Sequence, residues 1–299
     1  MVRQACDSDF PKTSRTHQAE VALFVGRRTR LCIGPELQWP GSAATSWAMN
    51  RLSPAVLGLV IANAAVFVAG LVMPQGSEWF VEHGAFWFTA NPHFALWQAV
   101  TYMFLHGGVG HIFFNMFALV SFGGLLERQW GTRRFLVFYF LCGVGAALVH
   151  NAVNAYQFGV LQERLVAQGL TPDGIHDLLT TGRGMIPAVA ETKATLFDLY
   201  RIYAAPMLGA SGAIYGVLVA FGLLYPNAKL ALMFLPVPIA AKFFIPILLA
   251  LDLLSGVTGF SLFGGGVAHF AHLGGALIGF LLMLFWRWRA QNHPAPRTL

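Results

Sequence analysis

Six stretches of this chain, near 53–73, 103–126, 134–155, 205–225, 237–256 and 266–286, each run for about twenty residues with few charges. At a rise of 1.5 Å per residue, about twenty residues match the roughly 30 Å hydrocarbon layer of a bilayer. Lipid offers the backbone no hydrogen-bond partners, so such segments span as helices or not at all. Composition agrees, because only 11% of residues are charged against about 25% in soluble domains. The expected fold class is therefore all-α: a polytopic membrane protein, a bundle of six transmembrane helices. The fifth stretch is the weakest, since Pro236, Pro238 and Pro246 interrupt it and Asp252 lies inside it.

Lysine and arginine set the orientation. They cluster before the first stretch, between the second and third (Arg128, Arg133, Arg134) and after the sixth (Arg287, Arg289, Arg297), and are absent from 74–102 and 257–265. Both termini are thus expected on the cytoplasmic side. The net charge of +6 is a topology signal and predicts no nucleic-acid partner. Cys6, Cys32 and Cys142 have no paired spacing, which argues against a disulfide framework or a zinc site.

Three segments stand apart. Residues 1–48 are Arg-rich without the apolar run of a secretory signal. They read either as a disordered cytoplasmic extension or as residues upstream of a start at Met49. The membrane domain is expected over 49–290, with a cytoplasmic tail at 291–299. Its connection at 156–204 is an extracytoplasmic insertion in which "QERLVAQGL" and "PDGIHDLLTTG" predict short surface helices. The aromatic-rich 74–102 connection fits the outer membrane interface.

Polar residues inside the spans are costly and point to function. Taking each span as a helix entered from outside, Ser211 and His272 fall roughly 9 Å deep, and His111 and Asn115 about 12 and 18 Å. Three helices thus place a serine, two histidines and an asparagine in one upper layer. A serine hydroxyl becomes a nucleophile once a base takes its proton, and His272 can be that base. Asn115, His111 and the Ser211 backbone N–H can meet a developing oxyanion. "GAIYG" (Gly212, Gly216) and "GALIG" (Gly275, Gly279) are small-xxx-small patterns that let helices approach closely. Tyr215 then lies where it can stack on the His272 ring.

Each residue alone has a plainer reading. Ser211 between glycines can be packing filler, His272 a hydrogen-bonded structural histidine, His106 a cap at the mouth of its span, and His150 a structural residue of the cytoplasmic half. His269 and His272, at i and i+3, can face one metal. With no "HExxH" and no carboxylate nearby, neither metal nor cofactor is expected. Asp252 is either a third catalytic member or, more simply, a group that neutralises or hydrogen-bonds something inside the bundle.

"GASGAIYG", "HGGVGHIFFN" and "AHLGGALIGF", with "GGLLERQWG" after the second span, resemble the rhomboid intramembrane serine proteases over about 53–286, in the same order. The resemblance implies a six-helix core with a Ser-His dyad opening to the extracytoplasmic side. Ser211 then matches the nucleophile, His272 the base, and His111 and Asn115 the oxyanion-stabilising pair. Gly209 matches the first glycine of the G-x-S motif, Tyr215 the stacking aromatic, His106 a further histidine and Glu127 a structural glutamate. Trp97-Gln98 stands where many members have Trp-Arg, which bears on how the first loop is anchored. The expected activity is endopeptidase cleavage of single-span membrane proteins in the lipid bilayer, with Gly264, Gly265 and Gly266 allowing a lid. Six spans without a seventh suggest a bacterial inner membrane. The competing reading is a catalytically inactive membrane-protein binder or chaperone on the same core. A transporter would need midplane charges and internal repeats, which the sequence lacks.

Overall fold

The computed structural model describes residues 53–186, 189–232, 235–259 and 268–292. Residues 1–48, the glycines at 264–266 and the end of the tail lie outside the described residues. Eleven helices occur among those described: α1 (Pro54–Val72), α2 (Gly76–Gly84), α3 (Gln98–Thr101), α4 (Val109–Ala118), α5 (Gly124–Trp130), α6 (Thr132–Ala167), α7 (Pro172–Thr181), α8 (Ala190–Ala204), α9 (Ser211–Leu224), α10 (Ala241–Thr258) and α11 (His269–Asn292). A π-turn over Leu119–Gly123 joins α4 to α5, so that Val109–Trp130 is one span.

Five helices are long and apolar enough to cross a membrane: α1, the α4–α5 unit, α6, α10 and α11. Their outward side chains, among them Leu71, Val72, Leu148 and Phe285, are roughly half-exposed or more, as a lipid-facing surface requires. The sixth apolar helix, α9, departs from expectation. It has 14 residues, about 21 Å, which is too short to span alone. The 205–210 segment, expected as its first turns, is not helical, and α9 begins at Ser211 itself. The second span likewise begins at Val109 rather than near 103, because 98–104 forms a separate short helix with a 3₁₀ turn. Pro236 and Pro238 lie in a short antiparallel hairpin, β1 (Lys229–Leu232) with β2 (Leu235–Ala240), so the fifth span starts after them.

Around α9 the core is built on missing side chains. A methyl at Gly275 would overlap the carbonyl oxygen of Gly212, and one at Gly279 would sit 2.7 Å from the Gly216 Cα. On its other side α9 meets α6, where a Gly212 methyl would come within 2.7 Å of the Ala146 Cβ. The two small-xxx-small patterns therefore lie backbone on backbone.

At the α1 N-terminus, Ser53 caps nothing. Glu127 of α5 instead accepts from the Ala55 and Val56 N–H groups at 2.8 and 3.0 Å and from the Thr132 hydroxyl at 2.7 Å. A carboxylate there satisfies orphan donors and the positive end of the helix dipole.

The described residues of the 156–204 insertion are mostly helical. "QERLVAQGL" is not a separate helix, because α6 continues through it to Ala167, 36 residues in all. "PDGIHDLLTTG" is α7, with Thr171 Oγ1 accepting from the Gly174 N–H and Pro172 in the first position. Leu165, Ile175, Leu179 and Leu199 build a second apolar cluster with Phe88 from the first loop. That loop is tied to α8 by the Asn91 amide on the Tyr203 carbonyl, 2.8 Å. Gln98 is buried and holds the loop from within: it accepts from the Trp87 and Ala95 N–H groups and donates to the His93 carbonyl at 2.7 Å. A glutamine thus anchors the loop where an arginine is common among the proteins this chain resembles.

Candidate active site

Ser211 is the first residue of α9, and the chain reaches it through a turn that only glycine accommodates readily. Gly209 has φ +120°, and a side chain there would strike the His111 Nε2 at 2.6 Å. Its N–H is fixed by the Tyr102 carbonyl at 2.9 Å. Two backbone bonds between Phe86 and Met207, at 2.8 and 2.9 Å, hold the approach segment against the first loop. Starting the helix at Ser211 leaves the first N–H groups of α9 without helical acceptors, directed at the space beside the hydroxyl.

The glycine contact between α9 and α11 brings the Ser211 Oγ to 2.8 Å from the His272 Nε2. Tyr215, one turn into α9, stacks on the His272 ring with centroids 4.2 Å apart and planes 10° from parallel. The other ring nitrogen, Nδ1, lies 3.2 Å from Asp252 Oδ1. Asp252 reaches in from α10 and is buried. A carboxylate acceptor at Nδ1 places the proton there and leaves the Nε2 lone pair facing the serine. The metal reading of the two histidines assumed no carboxylate beside them, yet Asp252, which the sequence left open as a third catalytic member, touches both, with His269 Nδ1 at 2.6 Å from the same oxygen. The sequence signal existed: an acid inside an apolar span is costly unless paired.

His111 belongs to α4. The Gly107 N–H donates to its Nδ1 at 3.4 Å, which puts the ring proton on Nε2, the atom against Gly209 and so beside Ser211. One turn on, the buried Asn115 donates to the His111 carbonyl at 2.9 Å and keeps a second N–H. His106 stacks edge-on against His111, centroids 5.0 Å apart. Ser211, His272, Tyr215, Gly209 and His111 thus come together, with Asn115 and His106 supporting His111.

His150 is not at the far end of the bundle. It lies one turn beyond Ala146, the α6 residue against Gly212, close enough to His272 to interact electrostatically. Its Nε2 pairs with the Asn154 amide at 3.1 Å.

The rhomboid domain pattern matches residues 93–289, which contain every residue of this site. Among similar proteins, the mitochondrial RHOMBOID-like protein 12 of Arabidopsis thaliana is 29% identical over 75% of this chain and 55% of its own length. The rhomboid protease GlpG of Yersinia pestis is 24% identical over 58% of this chain and 63% of its own. The inactive RHOMBOID-like protein 8 of A. thaliana is 34% identical over 23% and 20%. The chain spans 55%, 34% and 41% of the length of the relatives RHOMBOID-like protein 12, Rhomboid-like protein 16 and Rhomboid-like protease 3. Apolar spans, motif order and the matched domain leave one conclusion: this chain is an integral membrane protein of the rhomboid family.

Proposed function

We propose that the chain is an intramembrane serine endopeptidase that cleaves single-span membrane proteins. The observation that carries this reading is the Ser211 Oγ–His272 Nε2 contact of 2.8 Å, backed by Asp252 on the other ring nitrogen. In the mechanism it supports, His272 takes the Ser211 proton as the oxygen attacks a peptide carbonyl. Asp252 acts as a positioning residue, holding the ring in the required tautomer and stabilising the imidazolium that forms. The Tyr215 face keeps the ring from turning away. The carbonyl oxygen becomes an oxyanion next to the His111 Nε2–H, the Asn115 amide and the free N–H groups that open α9. His272 then returns its proton to the leaving amine. Water, deprotonated by the same ring, releases the acyl group from Ser211.

A peptide bond within a helix is shielded by its own hydrogen bonds. Substrates are therefore segments that unwind near the level of Ser211, helped by small or helix-breaking residues. The positive-inside pattern puts both termini in the cytoplasm, with the site opening on the other side. The host membrane in this reading is a bacterial inner membrane.

The test is cleavage of a reporter transmembrane substrate together with labelling by a fluorophosphonate probe. Ser211→Ala and His272→Ala should each abolish both, in folded protein. Cleavage that survives either change sinks the protease reading. A folded, unreactive wild type would point to a non-catalytic binder, a possibility that an inactive relative keeps open.

A further inference from the structure

The hydrolytic chemistry uses one of the two histidines on Asp252 and leaves the other over. His269 and His272 lie three residues apart at the start of α11, on one helix face, and Asp252 bridges them from α10. The three side chains are 10%, 12% and 7% exposed, and each offers a donor atom within 4.8 Å of the other two. The Asp252 carboxylate also meets the Tyr215 hydroxyl, so one buried acid is shared by two imidazoles and a phenol. Two imidazole nitrogens converging on one buried carboxylate are a set that a cation can occupy in place of the ring protons. The His150 and His111 rings lie close enough to His272 to interact with it electrostatically.

We propose that Asp252, His269 and His272 form a binding site for Zn²⁺, and that its occupation switches off the serine chemistry. Two imidazole nitrogens and one carboxylate oxygen are a zinc donor set, with the fourth position left open. Ca²⁺ and Mg²⁺ select oxygen donors and do not suit it. Zinc bonds of about 2.0–2.2 Å place tetrahedral ligand atoms roughly 3.3 Å apart. The separations of 2.6 and 3.2 Å from Asp252 Oδ1, with all three donor atoms within 4.8 Å of one another, put the set within side-chain adjustment of that spacing.

The inhibition follows from tautomers. In the metal-free site, the His272 Nδ1–H donates to Asp252 and the Nε2 lone pair receives the serine proton. Zinc on Nδ1 takes that lone pair, and the neutral ring keeps its one proton on Nε2. The proton lost from Nδ1 is replaced at Nε2 through solvent, so the ring stays neutral. Nε2 then donates toward Ser211 and can no longer act as its base. Zinc would also tie α10 to α11.

The inhibitory half of this proposal rests on the serine-protease reading; the binding half does not, so two experiments separate them. Binding is read on the full chain carrying Ser211→Ala, chelator-treated and titrated with Co²⁺. The expected result is one Co²⁺ per chain with the intense visible bands of four-coordinate cobalt, displaced by Zn²⁺ and weakened more than about tenfold by His269→Asn or Asp252→Asn. Inhibition is read as reporter cleavage with and without Zn²⁺, each protein against its own metal-free rate. Wild type should fall more than about tenfold, and His269→Asn less than about twofold. Absence of the cobalt spectrum, or a spectrum unchanged in the variants, overturns the site. If Asp252→Asn does not fold, His269→Asn alone decides. Protein that binds Co²⁺ as expected yet cleaves nothing without metal leaves the site standing and removes the protease reading.

Discussion

Two helix contacts assemble the site, and they are built differently. Between α9 and α11, backbone lies on backbone, with Gly212 and Gly216 against Gly275 and Gly279. Between α10 and α11 the contact runs through side chains. Of α10 only Ala241, Ile245, Asp252 and Ser255 are buried, while Phe243, Ile247, Leu254 and Val257 are largely exposed. The first interface cannot slide without a clash, so the Ser211–His272 spacing is fixed by geometry. The second is held at the site by the hydrogen bonds of one carboxylate. Nucleophile and base are therefore fixed by backbone packing, whereas the acid is placed by side-chain contacts alone.

The sharpest way to break the rigid side is Gly275→Ala. The added methyl meets the Gly212 carbonyl oxygen, and backbone cannot rotate aside as a side chain does. Overpacking against well-packed neighbours costs about 1–3 kcal/mol and occasionally more, and moving α11 outward also parts His272 from Ser211. Cleavage and fluorophosphonate labelling should fall more than about a thousandfold, on the scale of losing a catalytic residue, with a lowered melting temperature in detergent. Next comes Asp252→Asn, which keeps volume and removes the acceptor that sets the tautomer. Under the proposed mechanism the cleavage rate falls about 10²–10⁴-fold with the fold retained. A change of less than about twofold would show that the pair works without its acid.

The rigid interface was legible in the sequence, because glycines four apart on an apolar helix have a direct packing meaning. Ser211, His272, His111, Asn115 and Tyr215 could be grouped from that and from the polar layer, and Gly209 through the resemblance of its motif. A depth of six residues requires helix from 205 onward, and 205–210 is not helical. Ser211 lies within the bundle because α9 starts late, not because a helix carries it six residues inward. Asp252 was visible as a third catalytic member or as a group pairing inside the bundle, and the sequence could not choose between the two. Its distance to His272 depends on where α10 begins, and the prolines before α10 hid that start inside a β-hairpin. The α8 helix and the second apolar cluster were missed, since a mixed polar and apolar connection carries no spanning signal.

Tyr215 belongs to the rigid side but also faces Asp252, so two substitutions divide its roles. Tyr215→Phe keeps the stacked face and removes the hydroxyl, and cleavage should drop by no more than about threefold. Tyr215→Leu removes the stack, which at about 0.5–1.5 kcal/mol for an aromatic pair corresponds to about 2–12-fold. If Phe proves as damaging as Leu, the hydroxyl on Asp252 matters more than the ring face, and the acid is better anchored than the α10 packing implies.

The smallest effect is expected where the same chemical change is made at the other interface. Gly256 on α10 faces α11, and a methyl there would meet the Phe270 ring at 3.2 Å and the His269 Cβ at 3.3 Å. These are side-chain atoms, and a few tenths of an ångström of rotation relieves them. Alanine also favours a helix over glycine by about 1 kcal/mol, which offsets the crowding. Gly256→Ala should leave the melting temperature within a few degrees and cleavage within about threefold. Set beside Gly275→Ala, the pair isolates what the methyl meets from the fact of adding one. Equal damage from both would mean that α10 is locked against α11 as firmly as α9 is, and Asp252 would then be a fixed part of the site.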